Sequence, residues 1–323
     1  MQRLASFIKY SLLSTILSSC GSHYLSNPDF SDRTNINSSI NQEAKSIEET
    51  DTTKNDPENT DTLRIMTYNI AHGRGQINKS KFPKSLGEFF YEYGLNSQMT
   101  KESMYVKLDQ IAKLINNLNP DLVSLNEIDF NSYWSFEVDQ LEYLSKKIGM
   151  KYYAYGTKWN PSLFFQAHCG NAVLSKYPLT GRNLPLNKTD SLTDTFIGEH
   201  SFMNVYIDGG KKINLVNTHL GGKNKKGQAE IIRDEVLDDL LDEIPTIITG
   251  DLNSELGSKA IKVFLDTGYF HLFKDSEKFP TSNNKPVTID HIIASRNIRY
   301  DFCFVPDIYY SDHKPVVCDL TIR

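Results

Sequence analysis

The chain has 323 residues, of which 39% are hydrophobic and 11% aromatic, and this is enough apolar material for one large domain or two ordinary ones. Its net charge at pH 7 is −5, so it lacks the strong basic excess that usually marks a dedicated nucleic-acid-binding protein. Most of the negative charge lies in residues 21–61, and residues 62–323 carry a net charge of only −1.

The first 20 residues, MQRLASFIKYSLLSTILSSC, have a basic start, an apolar stretch and small residues before Cys20. This layout is typical of a secretory signal, and the apolar run is too short to span a bilayer as a mature helix. The ending Leu17-Ser18-Ser19-Cys20 resembles the lipobox of bacterial lipoproteins, in which the cysteine is acylated and becomes the mature N-terminus. The resemblance implies export and a lipid anchor at Cys20 in the membrane of the bacterial cell envelope. An ordinary signal cleaved near Ser19 would also export the protein.

Residues 21–61 are rich in Ser, Asn, Thr, Asp and Glu and contain few aromatic or branched apolar side chains. Such a segment cannot bury enough surface to offset its ordering entropy, and we expect a disordered tether. Residues 62–323 then form a single folded domain.

The chain has four cysteines. If Cys20 carries lipid, Cys169, Cys303 and Cys318 remain, and three residues cannot all pair. Cys303 and Cys318 lie in strand-like runs, so they either pair after export or remain as two buried thiols. A larger disulfide framework is not expected.

Eight apolar runs in the folded part have the length and β-branched content of strands. They are residues 63–70, 121–127, 170–178, 202–208, 212–220, 245–253, 287–295 and 315–322. Four helical patterns, each closely followed by Gly or Pro, occupy residues 104–118, 138–148, 228–244 and 258–265. Strands interleaved with helices over this length predict one α/β domain with layered sheets.

Residues 76–100 separate the first strand from the first helix and carry five aromatic side chains, Phe82, Phe89, Phe90, Tyr91 and Tyr93. The preferred interpretation is a small excursion that packs its aromatic rings inward. The alternative is a lid that contacts the substrate or a membrane.

Most of the predicted strands end beside a side chain that is able to bind a metal or a phosphate. These residues are Asn69, Glu127, His219, Asp251, Asn253, Asp290, Asp312 and His313. Taken singly, Asn, Asp and His at such positions are ordinary turn formers. Oxygen ligands such as Glu127, Asn69 and Asp312 suit a hard cation such as Mg²⁺ or Mn²⁺. The sequence has no His/Cys cluster with the local spacing of a zinc site.

Seven motifs follow one another along the chain: TYN (67–69), NE (126–127), GNAVLSKYP (170–178), NTHL (217–220), GDLN (250–253), IDHI (289–292) and SDHKPV (311–316). Together they resemble the endonuclease/exonuclease/phosphatase superfamily of DNase I-like nucleases, deadenylases, inositol-phosphate phosphatases and sphingomyelinases. The resemblance covers residues 63–322 and implies a DNase I-like four-layer α/β sandwich, in which two packed mixed β-sheets are flanked by helices. GNAVLSKYP and NTHL are most similar to bacterial metal-dependent hydrolases of poorly defined substrate.

The resemblance implies a metal site at one edge of this fold. Glu127 is implied as the principal ligand of Mg²⁺ or Mn²⁺, helped by Asn69, and Asp312 as a further ligand or part of a second site. Some nucleases of this group carry an acid two residues after the first-motif Asn, whereas this chain has Ala71 there. A two-carboxylate metal site at that edge is therefore not supported.

The same resemblance implies the catalytic roles. Asp251 would orient or deprotonate the attacking water, which Asn253 holds together with the phosphate. His313 would contact the scissile phosphate as a general base or as a cation, and Asp290 would fix its tautomer. His219 would stabilise the transition state.

Four further side chains have no assigned role in the motifs. His72 and Arg74, in the stretch AHGRG, either line the pocket or belong to a glycine-rich turn. His168 and His200 are interpreted as structural or surface groups.

These inferences lead to three hypotheses of function. The first is a metal-dependent phosphodiesterase or phosphatase tethered by lipid at the bacterial envelope, acting as a monomer on a phosphate ester. Export separates it from chromosomal DNA and cytoplasmic RNA, so the candidate substrates are a lipid headgroup, a small phosphodiester or extracellular nucleic acid. The second is a secreted or surface nuclease, against which the near-neutral charge argues mildly. The third is a non-catalytic binding lipoprotein on the same fold, which predicts missing catalytic side chains, and none is missing.

Overall fold

The structure is a computed structural model that describes residues 62–75, 99–132, 135–159, 168–186, 201–208 and 212–323. The predicted signal segment (1–20), the predicted tether (21–61), His200 and residues 76–98 of the aromatic insert lie outside the described residues. Within the described ranges, no helix combines the length and the apolar character needed to cross a membrane.

The described residues form twelve strands, five α-helices and two short 3-10 helices. The strands are β1 (Thr62–Asn69), β2 (Leu122–Asp129), β3 (Tyr152–Trp159), β4 (Cys169–Ser175), β5 (Leu179–Pro185), β6 (Ser201–Asp208), β7 (Lys212–His219), β8 (Thr246–Asp251), β9 (Phe270–His271), β10 (Asp290–Ser295), β11 (Ile298–Phe304) and β12 (Val316–Ile322). The α-helices are α1 (Lys101–Leu118), α2 (Gln140–Ile148), α3 (Lys225–Glu235), α4 (Leu237–Leu241) and α5 (Lys259–Leu265), and the 3-10 helices are Ala71–Gly73 and Ser276–Lys278.

The strands make two mixed sheets of six strands each. The first has the order β11-β12-β1-β2-β4-β3 and the second the order β5-β6-β7-β8-β10-β9. Each contains one parallel pair, β1–β2 in the first sheet and β7–β8 in the second, and the other neighbours are antiparallel. Because parallel neighbours need a crossover connection, α1 joins β1 to β2, and α3 with α4 joins β7 to β8. The carboxyl ends of each parallel pair therefore lie at the same edge of their sheet.

Successive apolar residues along the central strands pack on opposite faces of their sheet. Ile65 packs between the two sheets, whereas Met66 packs against the helices α1 and α2. In the second sheet, Ile247 packs between the sheets and Ile248 packs against α3, α4 and α5. Successive strand side chains point to opposite faces, so strands that are covered on both faces need continuous apolar runs. The layers are helices, sheet, sheet and helices, and this confirms the predicted four-layer α/β sandwich.

All eight predicted strands are present, and four strands were not predicted. These four, β3, β5, β9 and β11, are the outermost strands of the two sheets. The edge strands β5 and β11 are largely half-buried or exposed, and their sequences accordingly lack the continuous apolar run of a central strand.

The predicted helix 228–244 is wrong in its extent. The chain forms α3 and then α4, with Val236 between them in a conformation that ends the first helix. Val236 is fully buried in the outer core with Leu240.

Cys303 and Cys318 lie opposite each other in the β11–β12 register and form a disulfide. The structure thus decides between the two alternatives that the sequence left open for this pair. Cys169 is a buried thiol.

Candidate active site

The polar residues predicted at strand ends meet where the two parallel pairs end. Asn69 is the last residue of β1, and His219 and Asp251 are the last residues of β7 and β8. His219 and Asp251 are register partners, so strand pairing alone places them side by side. Glu127 lies near the end of β2, at a register shift between β2 and β4, and has a φ of 51°. Such a bulge turns a side chain out of the regular ladder, and here it turns Glu127 toward the site.

Asn69 connects the carboxylates of the two sheets. Its amide nitrogen donates to Glu127 Oε1 and to Asp251 Oδ2, over 3.1 Å in each case. Its amide oxygen accepts the N–H of Ala71 over 3.0 Å. Because Asn69 is fully buried, these bonds fix the amide with its nitrogen facing the carboxylates. Asn69 therefore holds Glu127 as a hydrogen-bond donor in this arrangement.

Asp251 is the central residue of the site and is 1% exposed. Its Oδ2 atom lies 3.4 Å from His219 Nε2 and 3.6 Å from His313 Nε2. Its Oδ1 atom accepts the N–H of Asn253 over 2.8 Å. Burial raises the pKa of Asp251 to about 7, against the opposing effect of the His313 charge. A carboxylate with this pKa can take up a proton near neutral pH.

His313 is oriented by Asp290. Its Nδ1 atom lies 2.8 Å from Asp290 Oδ2, and since an ionised carboxylate only accepts, Nδ1 carries the hydrogen. Asp290 lies opposite Asp251 in the β10–β8 register, and a bridge between Ser282 and His313 holds the loop before β12. Burial lowers the pKa of His313, but the carboxylates of Asp290 and Asp251 outweigh this effect and raise it to about 10. The imidazole is therefore a cation at neutral pH.

Asn253 holds His219 from the turn that follows β8. Its Nδ2 atom lies 3.0 Å from His219 Nε2 and 2.9 Å from the carbonyl oxygen of Leu220. Because an amide nitrogen only donates, His219 Nε2 is the acceptor of this bond. Asn253 has a φ of 47°, in the left-handed region where Asn is enriched. This conformation turns the chain back over the end of β7.

Asp312 lies beside His313. Its Oδ1 atom is 4.0 Å from His313 Nε2 and 3.5 Å from the Ser311 hydroxyl, and its Oδ2 atom accepts from Asn284 over 3.3 Å. The Ser311 hydroxyl also donates to the carbonyl of Asn69 over 2.7 Å, which ties this loop to the end of β1. The structure thus brings the eight sequence-predicted residues to one edge of the sandwich, with Asp312 next to His313.

Three buried asparagines support the site, and the sequence interpretation gave them no role although they lie in its motifs. They are Asn126 in β2, Asn171 in β4 and Asn217 in β7. Asn126 Nδ2 donates to the amide oxygens of Asn171 and Asn217, over 2.8 and 3.1 Å, and Asn126 Oδ1 accepts the N–H of Asp251 over 3.0 Å. The available signal was an asparagine inside an apolar strand, because a buried polar side chain needs a partner.

His72 lies at the rim of the site. Its Nε2 atom is 3.5 Å from Glu127 Oε2, and its Nδ1 atom is 3.1 Å from Asp129 Oδ1. Ala71, His72 and Gly73 have φ values of 47°, 55° and 65°. The stretch AHGRG is therefore a turn that also brings an imidazole to the pocket, so both sequence alternatives hold. Left-handed non-glycine residues of this kind are strained, and they persist where the surroundings hold them in place.

Two groups of side chains at this edge have donor atoms close enough to hold a metal ion, with all donor atoms of a group within 4.8 Å of one another. One is Glu127, His219 and Asp251, and the other is Asp251, Asp290 and His313. The first group offers two carboxylates, the donors that a hard divalent cation prefers. The second carboxylate belongs to Asp251 on β8 and not to the position of Ala71, on which the sequence argument against a two-carboxylate site depended. In the second group all three side chains are buried, whereas Glu127 in the first group is partly exposed and can be reached by an ion from solvent. The donor set therefore fits a cation beside Glu127.

Comparisons with known proteins identify the family and the fold. The sequence matches the Endonuclease/Exonuclease/phosphatase family over residues 66–313, and no curated relative matches it. The fold is similar to an endonuclease/exonuclease/phosphatase from Beutenbergia cavernae DSM 12333, with 20% identity, coverage of 81% of this chain and 72% of that chain, and a TM-score of 0.57. It is also similar to a mannosyl-6-phosphatase from Bacteroides thetaiotaomicron VPI-5482 (16% identity, 80% and 100% coverage, TM-score 0.56) and to the human Nocturnin catalytic domain (20% identity, 81% and 94% coverage, TM-score 0.56). Because the sequence match spans most of the chain, the protein belongs to the Endonuclease/Exonuclease/phosphatase family.

Proposed function

We propose that this protein is a divalent-metal-dependent phosphoester hydrolase. The observation that carries the proposal is the position of the Asp251 carboxylate, which lies within 3.6 Å of Asn69, His219 and His313 at the end of the parallel strands. A buried carboxylate with a pKa near 7, a cationic imidazole and a second carboxylate at Glu127 are groups that can catalyse hydrolysis of a phosphate ester.

His313 acts as a cation toward the phosphate. Its raised pKa keeps Nε2 protonated, so this nitrogen donates a hydrogen bond to a phosphoryl oxygen and stabilises the charge that develops there. Asp290 holds the ring by accepting from Nδ1. Of the two roles that the resemblance leaves open, the structure favours the cation over the general base.

Asp251 accepts a proton from the attacking water. Its pKa near 7 suits this task at neutral pH. The N–H of Asn253 contacts Oδ1 of Asp251, and His219 and Asn69 both approach Oδ2. Together these contacts limit the positions that a water molecule can take. This constraint orients the nucleophile toward the phosphorus atom.

Glu127 would hold the metal ion, and Asn69 would orient Glu127. Mg²⁺ is the preferred ion, with Mn²⁺ as the alternative, because both favour carboxylate oxygen and retain water ligands. When bound, such an ion neutralises charge on the phosphoryl oxygens. Asp312, whose Oδ1 atom lies 4.0 Å from His313 Nε2, would be a further metal ligand or part of a second site.

We propose further that the protein is exported and anchored by lipid at Cys20 to the bacterial envelope, and that it works there as a monomer. The Cys303–Cys318 disulfide supports export, because disulfides persist in oxidising compartments. A phosphate ester outside the cytoplasm is then the substrate: a lipid headgroup, a small phosphodiester or extracellular nucleic acid. Membrane fractionation of the full chain and of Cys20→Ser tests the anchor, and equal release of both proteins would contradict it.

The activity is tested with the full chain, Mg²⁺ or Mn²⁺ and a chromogenic aryl phosphodiester and phosphomonoester. We expect turnover that falls by roughly 10³-fold in Asp251→Asn and that disappears with a chelator. Phosphoinositides, sphingomyelin, RNA and plasmid DNA are assayed in parallel, and preferential nicking of the plasmid would favour the nuclease alternative. If the wild-type protein exceeds Asp251→Asn on none of these substrates, the chain is a binding protein and the proposal is wrong.

A further inference from the structure

A second group of ligand-type side chains lies one strand away from Glu127. Asp129, at the end of β2, is the register partner of Cys169, at the start of β4. Side chains of directly opposite residues in an antiparallel pair point to the same face with their Cβ atoms roughly 5 Å apart. The turn after β1 adds His72, whose Nδ1 atom is 3.1 Å from Asp129 Oδ1.

The donor atoms of this group converge. One nitrogen of His72, one oxygen of Asp129 and the sulfur of Cys169 all lie within 4.8 Å of one another. Asp129 is fully buried and Cys169 is 8% exposed, while the His72 side chain is 18% exposed. The group is thus largely enclosed by protein, and the imidazole is its most exposed member.

The surroundings hold His72 and Asp129 in place. The buried side chain of Gln140 accepts the N–H of Asp129 over 3.1 Å and donates to the carbonyl of His72 over 2.8 Å. The Ser132 hydroxyl lies 3.4 Å from Asp129 Oδ1 and donates to the carbonyl of His168 over 2.8 Å. His168, interpreted from the sequence as structural, therefore contributes its main chain to this frame.

We propose that His72, Asp129 and Cys169 form a second metal site, selective for Zn²⁺ and distinct from the one at Glu127. A set of one imidazole, one carboxylate and one thiolate suits zinc and not Mg²⁺, which takes oxygen ligands. Around a tetrahedral zinc, neighbouring N, O and S ligand atoms are roughly 3.3 to 3.6 Å apart, so atoms now within 4.8 Å of one another need to approach by at most roughly 1.2 to 1.5 Å. Two protons leave to solvent when the ion binds: the Cys169 thiol proton as the zinc–sulfur bond forms, and the hydrogen that Nδ1 of His72 otherwise donates to Asp129.

The position of the ring connects this site to the candidate active site. When Nδ1 of His72 binds the ion, Nε2 remains directed at Glu127 Oε2, 3.5 Å away. Nε2 then carries the hydrogen and donates it to the carboxylate, as metal-bound imidazoles commonly do with their second nitrogen. With zinc bound, His72 therefore holds the Oε2 atom of Glu127, while Asn69 holds its Oε1 atom.

The site is tested by cobalt absorption, which does not depend on catalysis. The full chain with Cys20→Ser is used, since Cys169 is then the one cysteine outside the Cys303–Cys318 bond. Metal-free protein in excess Mg²⁺ is titrated with Co²⁺. We expect a thiolate-to-cobalt charge-transfer band in the near ultraviolet that saturates at one ion per chain and is removed by an equivalent of Zn²⁺.

Variants assign the ligands. Cys169→Ser abolishes the band, and His72→Gln or Asp129→Asn weakens cobalt binding by at least about 100-fold. Asp251→Asn, which belongs to the other group, retains both the band and the affinity. Far-ultraviolet circular dichroism and the thermal midpoint establish that each variant is folded.

Two results would overturn the proposal: a folded protein with no charge-transfer band, or a band that survives Cys169→Ser. In the first case the group is an Asp–His hydrogen bond beside a buried thiol. Neither result affects the proposed hydrolase activity, which is measured separately with Mg²⁺ and Asp251→Asn.

Discussion

Asp290 and His313 are joined by a 2.8 Å hydrogen bond between β10 and the loop before β12, and this bond leaves the other nitrogen of the imidazole 3.6 Å from Asp251. Replacement of Asp290 by Asn removes a charge that raises the pKa of His313. We expect kcat to fall by about 10²-fold, and the alkaline limb of the pH–rate profile to move to lower pH because the imidazolium loses its proton sooner. Steady-state kinetics across pH check this, with Asp301→Asn on the exposed edge strand as the control. An unchanged profile would show that Asp290 does not act through His313.

The Asn126 amide holds together parts of both sheets. Asn126→Ala leaves the N–H of Asp251 and the amide oxygens of Asn171 and Asn217 without this partner. We expect the free energy of unfolding to fall by roughly 3 kcal/mol, because buried groups that lose a partner carry the full desolvation penalty. Urea denaturation measures it. Asn116→Ala, which removes one exposed hydrogen bond on α1, should cost less than about 1 kcal/mol, and equal losses in the two variants would refute the assignment.

The Cys303–Cys318 disulfide closes a segment of 15 residues between adjacent strands. A cross-link over a loop of this length stabilises a protein by about 3 kcal/mol in the chain-entropy model. We expect a phosphine reductant to lower the denaturation midpoint of the wild-type protein accordingly. The double variant Cys303→Ala/Cys318→Ala should start at the lower midpoint and not respond to reductant; a response there would trace the effect to another group.

His291 makes the stability depend on pH. Burial lowers its pKa below the ordinary value of 6.5, although the carbonyl of Ser254 and the charge of Asp290 act in the opposite direction. When the pH falls below the pKa that His291 has in the unfolded chain, the unfolded chain binds a proton that the native chain does not. The free energy of unfolding is therefore higher above this pKa and decreases as the pH falls through it. Urea midpoints between about pH 7.5 and 5.5 should decline less in His291→Gln than in the wild-type protein. Parallel declines would assign the acid sensitivity to other groups.

Gly250, the residue before Asp251, cannot carry a side chain. Its φ is +129°, and a Cβ atom there would lie 1.8 Å from the carbonyl oxygen of Thr218 on β7. We expect Gly250→Ala to unfold the protein or to destabilise it by more than about 3 kcal/mol. Gly257 also has a positive φ, but a Cβ atom there would meet open space, so Gly257→Ala should cost only about 1 kcal/mol. The thermal unfolding midpoints of the two variants separate the effect of the clash at Gly250 from the effect of the positive φ, which both positions share. Similar midpoints would exclude the clash.

The sequence predicted the central strands of both sheets because burial on two faces leaves continuous apolar runs, as at Ile247 and Ile248. It did not predict the four edge strands. Edge strands are partly exposed and contain polar residues, so they lack a continuous apolar run. The residues at the strand ends could be identified from their motifs. Which of these side chains contact one another could not be predicted from the local sequence. The bond between Asn126 and Asn217, and the approach of His72 to Asp129 and Cys169, depend on how strands distant in sequence align in space.

The two sheets contribute the candidate site in nearly equal shares. Asn69, Glu127 and the loop carrying His313 belong to the first sheet, and His219, Asp251 and Asp290 to the second. Neither sheet alone therefore contains a complete set of catalytic side chains. The site forms only while the two sheets keep their relative position. A partly unfolded chain in which one sheet has loosened should consequently be inactive, so that loss of activity and cooperative unfolding coincide along a denaturant titration.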